Sequence, residues 1–233
     1  MGFYSDWIKA LANGEDDIAI IAAFLNSVPE STKPFHDADP TGHAAAYEVL
    51  NAVPNERVLD VVASIDIPRT LIPADVPCFS TFENGAVRLN ELLEFEAEGL
   101  TFSDAGYQLM NSVKPGAKTK YGENHSKLAA MMDLVTISDT RPVIVKPTAW
   151  GSYLAKYELR RKHDVLKKLL LRDLCVKTIV KAALQGQTSY REAVKVLSPS
   201  TALRRRSNVR YLVEYVLTGT EREDALSRID WEL

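Results

Sequence analysis

The chain has 233 residues, of which 46% are hydrophobic and 25% charged, the balance of a globular protein with one or two domains. Its longest apolar run near the start, residues 18–25, is much shorter than the roughly 20 residues that a membrane-spanning helix needs. Acidic residues precede this run, where an export signal has basic ones. We therefore expect a cytoplasmic protein that makes no contact with a membrane.

Cysteine content argues against two further classes of protein. Cys78 and Cys175 lie about a hundred residues apart, and no histidine pair accompanies either of them. A disulfide framework and a zinc site are therefore not expected. We also expect no other cofactor, because no glycine-rich phosphate loop occurs.

The net charge of −3 hides a strong asymmetry along the chain. Residues 1–113 contain 5 basic and 18 acidic residues, whereas residues 114–233 contain 23 basic and 13 acidic ones. The stretch 114–210 alone has 21 basic and 7 acidic residues, a net charge of +14. Such a concentration predicts a surface for a polyanion, and the alternative is a set of ordinary solvated helix faces.

The first half of the chain is predicted to be helical. Residues 1–41 form a cap with helices at 4–12 and 17–27 and a loop rich in Pro, Asp and His. Residues 42–113 form an acidic unit. Its predicted elements are helices at 43–52, 56–64, 83–95 and 103–110, a proline-rich break around residues 68–77, and a short extended segment at 99–102.

Residues 114–155 have a helical pattern followed by a hairpin pattern. Leu128, Met131, Met132 and Val135 recur at helical spacing and predict a buried stripe on a helix that begins near Asn124. Turn residues at 139–142 separate two β-rich runs, 135–138 and 143–146, which predicts a hairpin.

A helix, a hairpin and a closing strand-to-helix segment together resemble the winged helix-turn-helix family. In that family the helix reads DNA and the hairpin is the wing. The closing pattern, a glycine followed three residues later by leucine, occurs at Gly106 and again at Gly151. The resemblance covers roughly residues 43–155 and implies a tandem pair of winged units, the first acidic and the second basic.

Residues 156–233 are predicted to form a basic helix-turn-helix unit. A cationic helix over 154–171 leads into three helices at 173–184, 189–197 and 199–217, with Gly186 ending the first. Ser198 is the expected N-cap of the last helix, with Pro199 at its first position.

The last of these helices has two distinct faces. Ala202, Val209, Val213 and Val216 are expected in the core, while Arg205 and Asn208 belong to an opposite face. Arginine can pair with guanine and asparagine with adenine. The string 198–210 also resembles the recognition helix of helix-turn-helix modules found beside restriction and phage-defence genes. An ordinary solvated face is the alternative interpretation.

The predicted fold is therefore mainly α, with short β-hairpin wings in tandem winged helix-turn-helix units. The predicted function is sequence-specific binding of double-stranded DNA by a nucleoid-associated transcriptional regulator or by a DNA-recognition subunit of a restriction or phage-defence system. The alternative is a winged-helix adaptor that holds a protein partner in a larger assembly. The acidic half is expected to contact protein, and a homodimer remains open.

The predicted DNA contacts belong to the two recognition helices, the wing and the cationic helix, with Tyr121 placed at the entrance to its helix. They are Lys118, Lys120, Tyr121, Asn124, Ser126, Lys127, Arg141, Arg160, Arg161, Lys167, Lys168, Ser200, Thr201, Arg204, Arg205 and Asn208.

No catalytic centre is predicted, and we expect the chain not to be an enzyme. An Asp-x-Lys or Glu-x-Lys pair, which a restriction-type nuclease needs, occurs nowhere in the sequence. The spacing of Asp37, Asp39 and Thr41 resembles the phosphotransfer motif of haloacid dehalogenases, but a polar loop precedes it instead of a buried strand. Three of the four histidines, His43, His125 and His163, lack partners at metal-ligand spacing, and no metal is expected.

Overall fold

The computed structural model describes residues 17–26, 52–79, 82–110, 114–156 and 159–233, without the side chains of residues 17, 149, 150 and 159–161. The predicted helix at 4–12, the loop with the Asp37 motif and His43 lie outside the described residues, as does the predicted helix at 43–52 except for its last residue.

The described part of the protein is mainly helical and has a small antiparallel sheet, which confirms the predicted fold class at this level. Within the described part of the chain, no helix is both long enough and apolar enough to cross a membrane.

The α-helices of the described residues are α1 Asp17–Asn26, α2 Asn55–Ser64, α3 Arg88–Leu93, α4 Phe102–Leu109, α5 Pro115–Met131, α6 Ala149–Ala155, α7 Leu159–Leu170, α8 Leu174–Gln185, α9 Tyr190–Ala193 and α10 Pro199–Leu217. The strands are β1 Leu100–Thr101, β2 Val135–Ile137, β3 Ile144–Pro147, β4 Thr188–Ser189 and β5 Ile229–Asp230. A π-helical turn, Phe82–Val87, leads into α3, and 3₁₀ turns occupy Pro73–Asp75 and Glu223–Arg228.

The chain divides into two compact units. The first contains residues 1–8, 28–49 and 81–162, and the second contains residues 9–27, 50–80 and 163–233. Helix α7 is shared, because its first residues belong to the first unit and the rest to the second.

In the first unit, α3, β1, α4, α5, β2 and β3 follow one another along the chain. The sheet has the order β1-β3-β2 and is antiparallel throughout. Leu100 pairs with Val145 across β1 and β3, and Val135 pairs with Pro147 across β2 and β3. The predicted hairpin is thus confirmed. Val135 and Val145 are fully buried, whereas Ile137 and Ile144 are partly exposed.

The predicted tandem of winged units is not confirmed. Strand β1 and helix α4, which the sequence assigned to a first winged unit, share one sheet and one bundle with α5 and the hairpin. Pairing between β1 and β3 leaves no sign in the sequence, because β1 has only two residues. The two glycine patterns are also not equivalent, since Gly106 follows its N-cap Thr101 by five positions and Gly151 follows Thr148 by three.

Helix α5 begins earlier than predicted. Pro115 occupies its first turn, where a proline loses no hydrogen bond, so the start near Asn124 is wrong. The helix ends at Met131, and Asp133 then adopts a left-handed conformation with φ 60°. Val135 is buried as expected but lies in β2 instead of on the helix.

The second unit is built around α8 and α10, which pack together, with α1 and α2 also in contact. The parallel pair β4–β5 joins residues near the end of α8 to the end of the chain. The core of the second unit is apolar and includes Phe24, Leu59, Val180 and Leu212.

Several local predictions in the second unit are confirmed. Ser198 caps α10 by accepting a hydrogen bond from the Thr201 N–H, and Pro199 follows it. Gly186 ends α8, and the four predicted core residues of α10 are buried. The predicted helix at 189–197 is only Tyr190–Ala193, and the predicted helix at 154–171 is divided between α6 and α7.

Candidate nucleic-acid interface

Helix α5 presents one polar face to solvent and one small-residue face to the core. Gly122, His125, Ser126, Leu128 and Ala129 are buried, as their helical spacing requires. On the opposite face Lys120 and Lys127 are exposed, with Glu123 between them.

These three side chains form a continuous ion-pair network. Lys120 Nζ lies 2.8 Å from Glu123 Oε2, and Lys127 Nζ lies 2.6 Å from Glu123 Oε1. Hydrogen bonds from Lys120 and, to a smaller extent, from Lys127 lower the pKa of the Glu123 carboxyl, so this group is ionised at neutral pH. The network carries a net charge of +1. Glu123 was not among the predicted contacts, although its i−3 and i+4 spacing to the lysines could have indicated it.

Lys118 and Tyr121 have other neighbours. The Lys118 ammonium lies 3.9 Å from the ring centroid of Tyr107, a cation–π contact that links α5 to α4. Tyr121 packs edge-on against His125 with ring centroids 4.1 Å apart, and it lies well inside the helix instead of at its entrance. Lys118 therefore remains a candidate for contact with DNA, whereas Tyr121 packs against His125.

Two predicted contacts of α5 are turned away from solvent. The Ser126 hydroxyl is buried and donates to the Gly122 carbonyl at 2.7 Å, so a phosphate cannot reach it. Asn124 is only partly exposed, and its Oδ1 is buried. The prediction erred here because it placed Asn124 and Ser126 in the first turn of the helix. They lie in its interior, and Asn124 shares the face of the buried Leu128 four residues later.

His125 is enclosed beside Gly85, where a Cβ atom on the glycine would lie 2.3 Å from the histidine Nδ1. Burial lowers the pKa of His125 to about 4, so the ring is neutral at physiological pH. His125 therefore packs the unit and contributes no charge to its surface.

The hairpin presents Arg141 at its tip. Ser138 braces the turn, since its N–H donates to the Ile144 carbonyl at 2.9 Å and its Oγ accepts from the Ile144 N–H at 2.8 Å. Arg141 lies within this braced turn and is exposed. The predicted position of Arg141 is therefore confirmed, and a contact with DNA stays a prediction.

The proposed base-reading face of α10 is occupied by the chain itself. The Arg205 guanidinium donates to the carbonyl oxygens of Pro73 and Val76, both at 2.7 Å. Asn208 donates to the Cys78 carbonyl at 2.8 Å. Arg205 and Asn208 therefore bind the backbone of residues 73–78. This corrects the prediction that both side chains contact DNA bases. Sequence spacing could not show this, because the partners lie about 130 residues away.

The N-terminal turn of α10 remains accessible. Ser200 and Arg204 are exposed, and Thr201 is partly exposed and accepts a hydrogen bond from Arg204 at 3.3 Å. These three side chains lie in the second unit, whereas α5 lies in the first.

The cationic helix α7 contributes little to the surface that the structure describes. Lys168 is 1% exposed, and burial lowers its pKa to about 8, which corrects the predicted phosphate contact. Lys167 donates to the Thr218 carbonyl at 2.5 Å. Arg160 and Arg161 have side chains outside the described set.

The net charge of +14 therefore overstates the basic surface. Lys162, Lys168, Arg172 and Lys177 are all buried. Lys162 Nζ lies 2.9 Å from Glu91 Oε1 and also donates to the Ala155 carbonyl, which compensates its desolvation. Among the side chains that the structure describes in the first unit, the predicted contacts Lys120, Lys127 and Arg141 are exposed and Lys118 is partly exposed.

No family model, no characterised protein and no solved structure matches this chain. Among the described residues, no group of three His, Cys, Asp or Glu side chains is placed to hold a metal ion. The function therefore has to be inferred from the geometry and charge of the chain's own residues.

Proposed function

We propose that this chain binds double-stranded DNA in a sequence-specific manner through one winged helix-turn-helix unit, residues 82–156. In this proposal α5 is the recognition helix and the β2–β3 hairpin is the wing. The observation that carries it is the element order α3-β1-α4-α5-β2-β3 with β1 joined to β3, together with the exposed lysines on α5. The family that the sequence resembles places a recognition helix before its wing in the same way.

Charge within this unit supports the proposal. Residues 82–113 contain 1 basic and 6 acidic residues, whereas residues 114–156 contain 7 basic and 3 acidic ones. Positive charge is thus concentrated in the half that contains α5 and the hairpin. A polyanion is attracted to that half and repelled by the other.

The proposed contacts with DNA have different roles. Lys118 and Lys127 bind phosphate oxygens and supply affinity, while the solvent-facing part of α5 lies in the major groove. Arg141 on the wing contacts a phosphate or the minor groove. Helix α10 supplies no base contact through Arg205 or Asn208, because both hold residues 73–78.

Duplex affinity measured against salt concentration tests the proposal. Lys127→Ala should weaken binding to every duplex and reduce the slope of log K against log salt by about 0.9, since one phosphate contact is lost. Lys195→Ala is the matched control, because Lys195 is an exposed lysine paired with a glutamate three residues away in the second unit. Equal behaviour of the two variants, or binding that is insensitive to salt, would contradict the proposal.

A protein-interaction adaptor is the second candidate. Phe95 is 87% exposed and lies among the acidic residues Glu94, Glu96 and Glu98, an arrangement suited to a partner with a basic rim and an apolar pocket. An adaptor has no reason to lose affinity for DNA as counterions are added, so the salt titration separates the two functions. Transcriptional regulation and a role in a restriction or phage-defence system stay predictions that follow from DNA recognition.

A further inference from the structure

Glu123 is the ordered centre of the network on α5. Its side chain is 23% exposed, compared with 64% for Lys120 and 55% for Lys127. Each of its carboxylate oxygens accepts from a different lysine, so both ends of the carboxylate are held. The two lysines are the outer, more exposed members of the network.

The dimensions of this network suit a helix in a major groove. Lys120 and Lys127 are seven positions apart, which corresponds to about 10 Å along a helix axis. A major groove is about 12 Å wide and admits a helix, whose diameter with side chains is about 10–12 Å. With α5 in the groove, the two ammonium groups can reach phosphates on either side while Glu123 is directed at the base edges between them.

The chemistry of the central group restricts the base edge that it can contact. An ionised carboxylate accepts hydrogen bonds and donates none, and about two of its four lone-pair positions remain after the lysines are paired. In the major groove, glutamate accepts from the N4 amino group of cytosine. Guanine and thymine present oxygen atoms there, and a carboxylate is repelled by them. Adenine presents an N6 amino group, but its N7 acceptor lies beside that group and also repels a carboxylate, so cytosine is the preferred base.

We propose, building on the proposed DNA-binding function, that Glu123 selects for cytosine by accepting a hydrogen bond from its N4 amino group while Lys120 and Lys127 contact flanking phosphates. The same carboxylate repels phosphate groups wherever no cytosine faces it. Glu123 thereby raises specificity and lowers affinity for unrelated DNA.

The test compares the full chain with Glu123→Gln and with Glu214→Gln. The second variant is a matched control, because Glu214 accepts from Arg210 at 2.7 Å on a helix of the other unit and carries the same charge. Preferred duplexes are first selected from a random library with the unaltered chain. Dissociation constants are then measured for a selected duplex, for the same duplex with single C·G pairs changed to T·A, and for random duplex.

We expect Glu123→Gln to bind random duplex several-fold more tightly and to lose roughly tenfold discrimination at one C·G pair. Because glutamine pairs with adenine, its preference at that pair should move toward A·T. Glu214→Gln should retain the discrimination of the unaltered chain. Glu123→Asp, which keeps the charge, should keep the cytosine preference in weakened form, and melting curves check that each variant is folded.

The outcomes separate this inference from the proposed function. If the unaltered chain binds no duplex, both are overturned. If it binds duplex with a preference that Glu123→Gln leaves unchanged, or with none that involves cytosine, DNA binding stands and the role of Glu123 is overturned.

Discussion

Gly106 in α4 lies directly against the backbone of Lys118 in α5, so that a Cβ atom on the glycine would be 1.8 Å from the Lys118 carbonyl oxygen. Gly122 repeats the relationship from the other helix, since its added Cβ would lie 2.0 Å from the Phe102 carbonyl oxygen and 2.7 Å from the Gly106 nitrogen. The two helices therefore meet backbone to backbone. This contact sets the position of α5, and with it the exposed face that carries the lysines.

Gly122→Ala should accordingly destabilise the first unit. A methyl group at this site must displace backbone, and overpacking of this kind costs about 1–3 kcal/mol or more, beyond the gain of up to about 1 kcal/mol in helix propensity. Gly116→Ala is the control, because Gly116 is on the same helix and a Cβ there meets nothing within 4 Å. Urea unfolding should show a loss for Gly122→Ala and no loss for Gly116→Ala. Equal stability of the two variants would mean that α4 and α5 are further apart than described.

Local features of the fold could be predicted, and distant pairings could not. The Ser198 cap and the hairpin at 135–146 were predictable because each depends on neighbouring residues. Strand β1 and the bonds from Arg205 depend on partners far along the chain, and no local pattern indicates them. Surface charge could not be predicted for the same reason. A count of basic residues includes Lys168, although this lysine is buried and adds nothing to the basic surface.

Arg205→Ala should destabilise the second unit and leave DNA binding unchanged. It removes two hydrogen bonds from a guanidinium group to the Pro73 and Val76 carbonyls, and bonds to charged groups are worth about 1.5–3 kcal/mol each at most. Because Arg205 is only partly buried, water replaces part of these bonds, and we expect a loss of about 2 kcal/mol in the free energy of unfolding. Arg204→Ala, one residue earlier and exposed, should change stability by less than about 0.5 kcal/mol. A drop in duplex affinity with unchanged stability would restore Arg205 as a DNA contact.

His125 should make the first unit sensitive to acid. Its pKa is about 4 in the folded protein because of burial, compared with 6.5 for an unperturbed histidine. Between these values the unfolded chain binds a proton that the folded chain does not, so stability falls as the pH is lowered from 6.5 toward 4. The slope contributed by this residue is at most about 1.4 kcal/mol per pH unit.

His125→Gln keeps a polar side chain of similar size and removes this titration. Urea unfolding at a series of pH values should show a shallower decline below pH 6.5 for the variant than for the unaltered chain. The difference between the two curves isolates His125 from the carboxyl groups, which titrate in both proteins. Parallel curves would show that the ring is accessible to water in the folded state.

Arg141 supplies the last prediction, which concerns the wing. Arg141→Ala should leave the fold intact, because the turn is braced by Ser138 and Ile144 and the arginine side chain is exposed. It should weaken binding to selected and random duplex by the same factor and lower the salt slope by about 0.9, as loss of one phosphate contact requires. Arg88→Ala is the control within the same unit, since Arg88 is also an exposed arginine and lies in the acidic half. A change of base preference in the major groove caused by Arg141→Ala would instead place the hairpin at the base edges, and α5 would then not be the recognition helix.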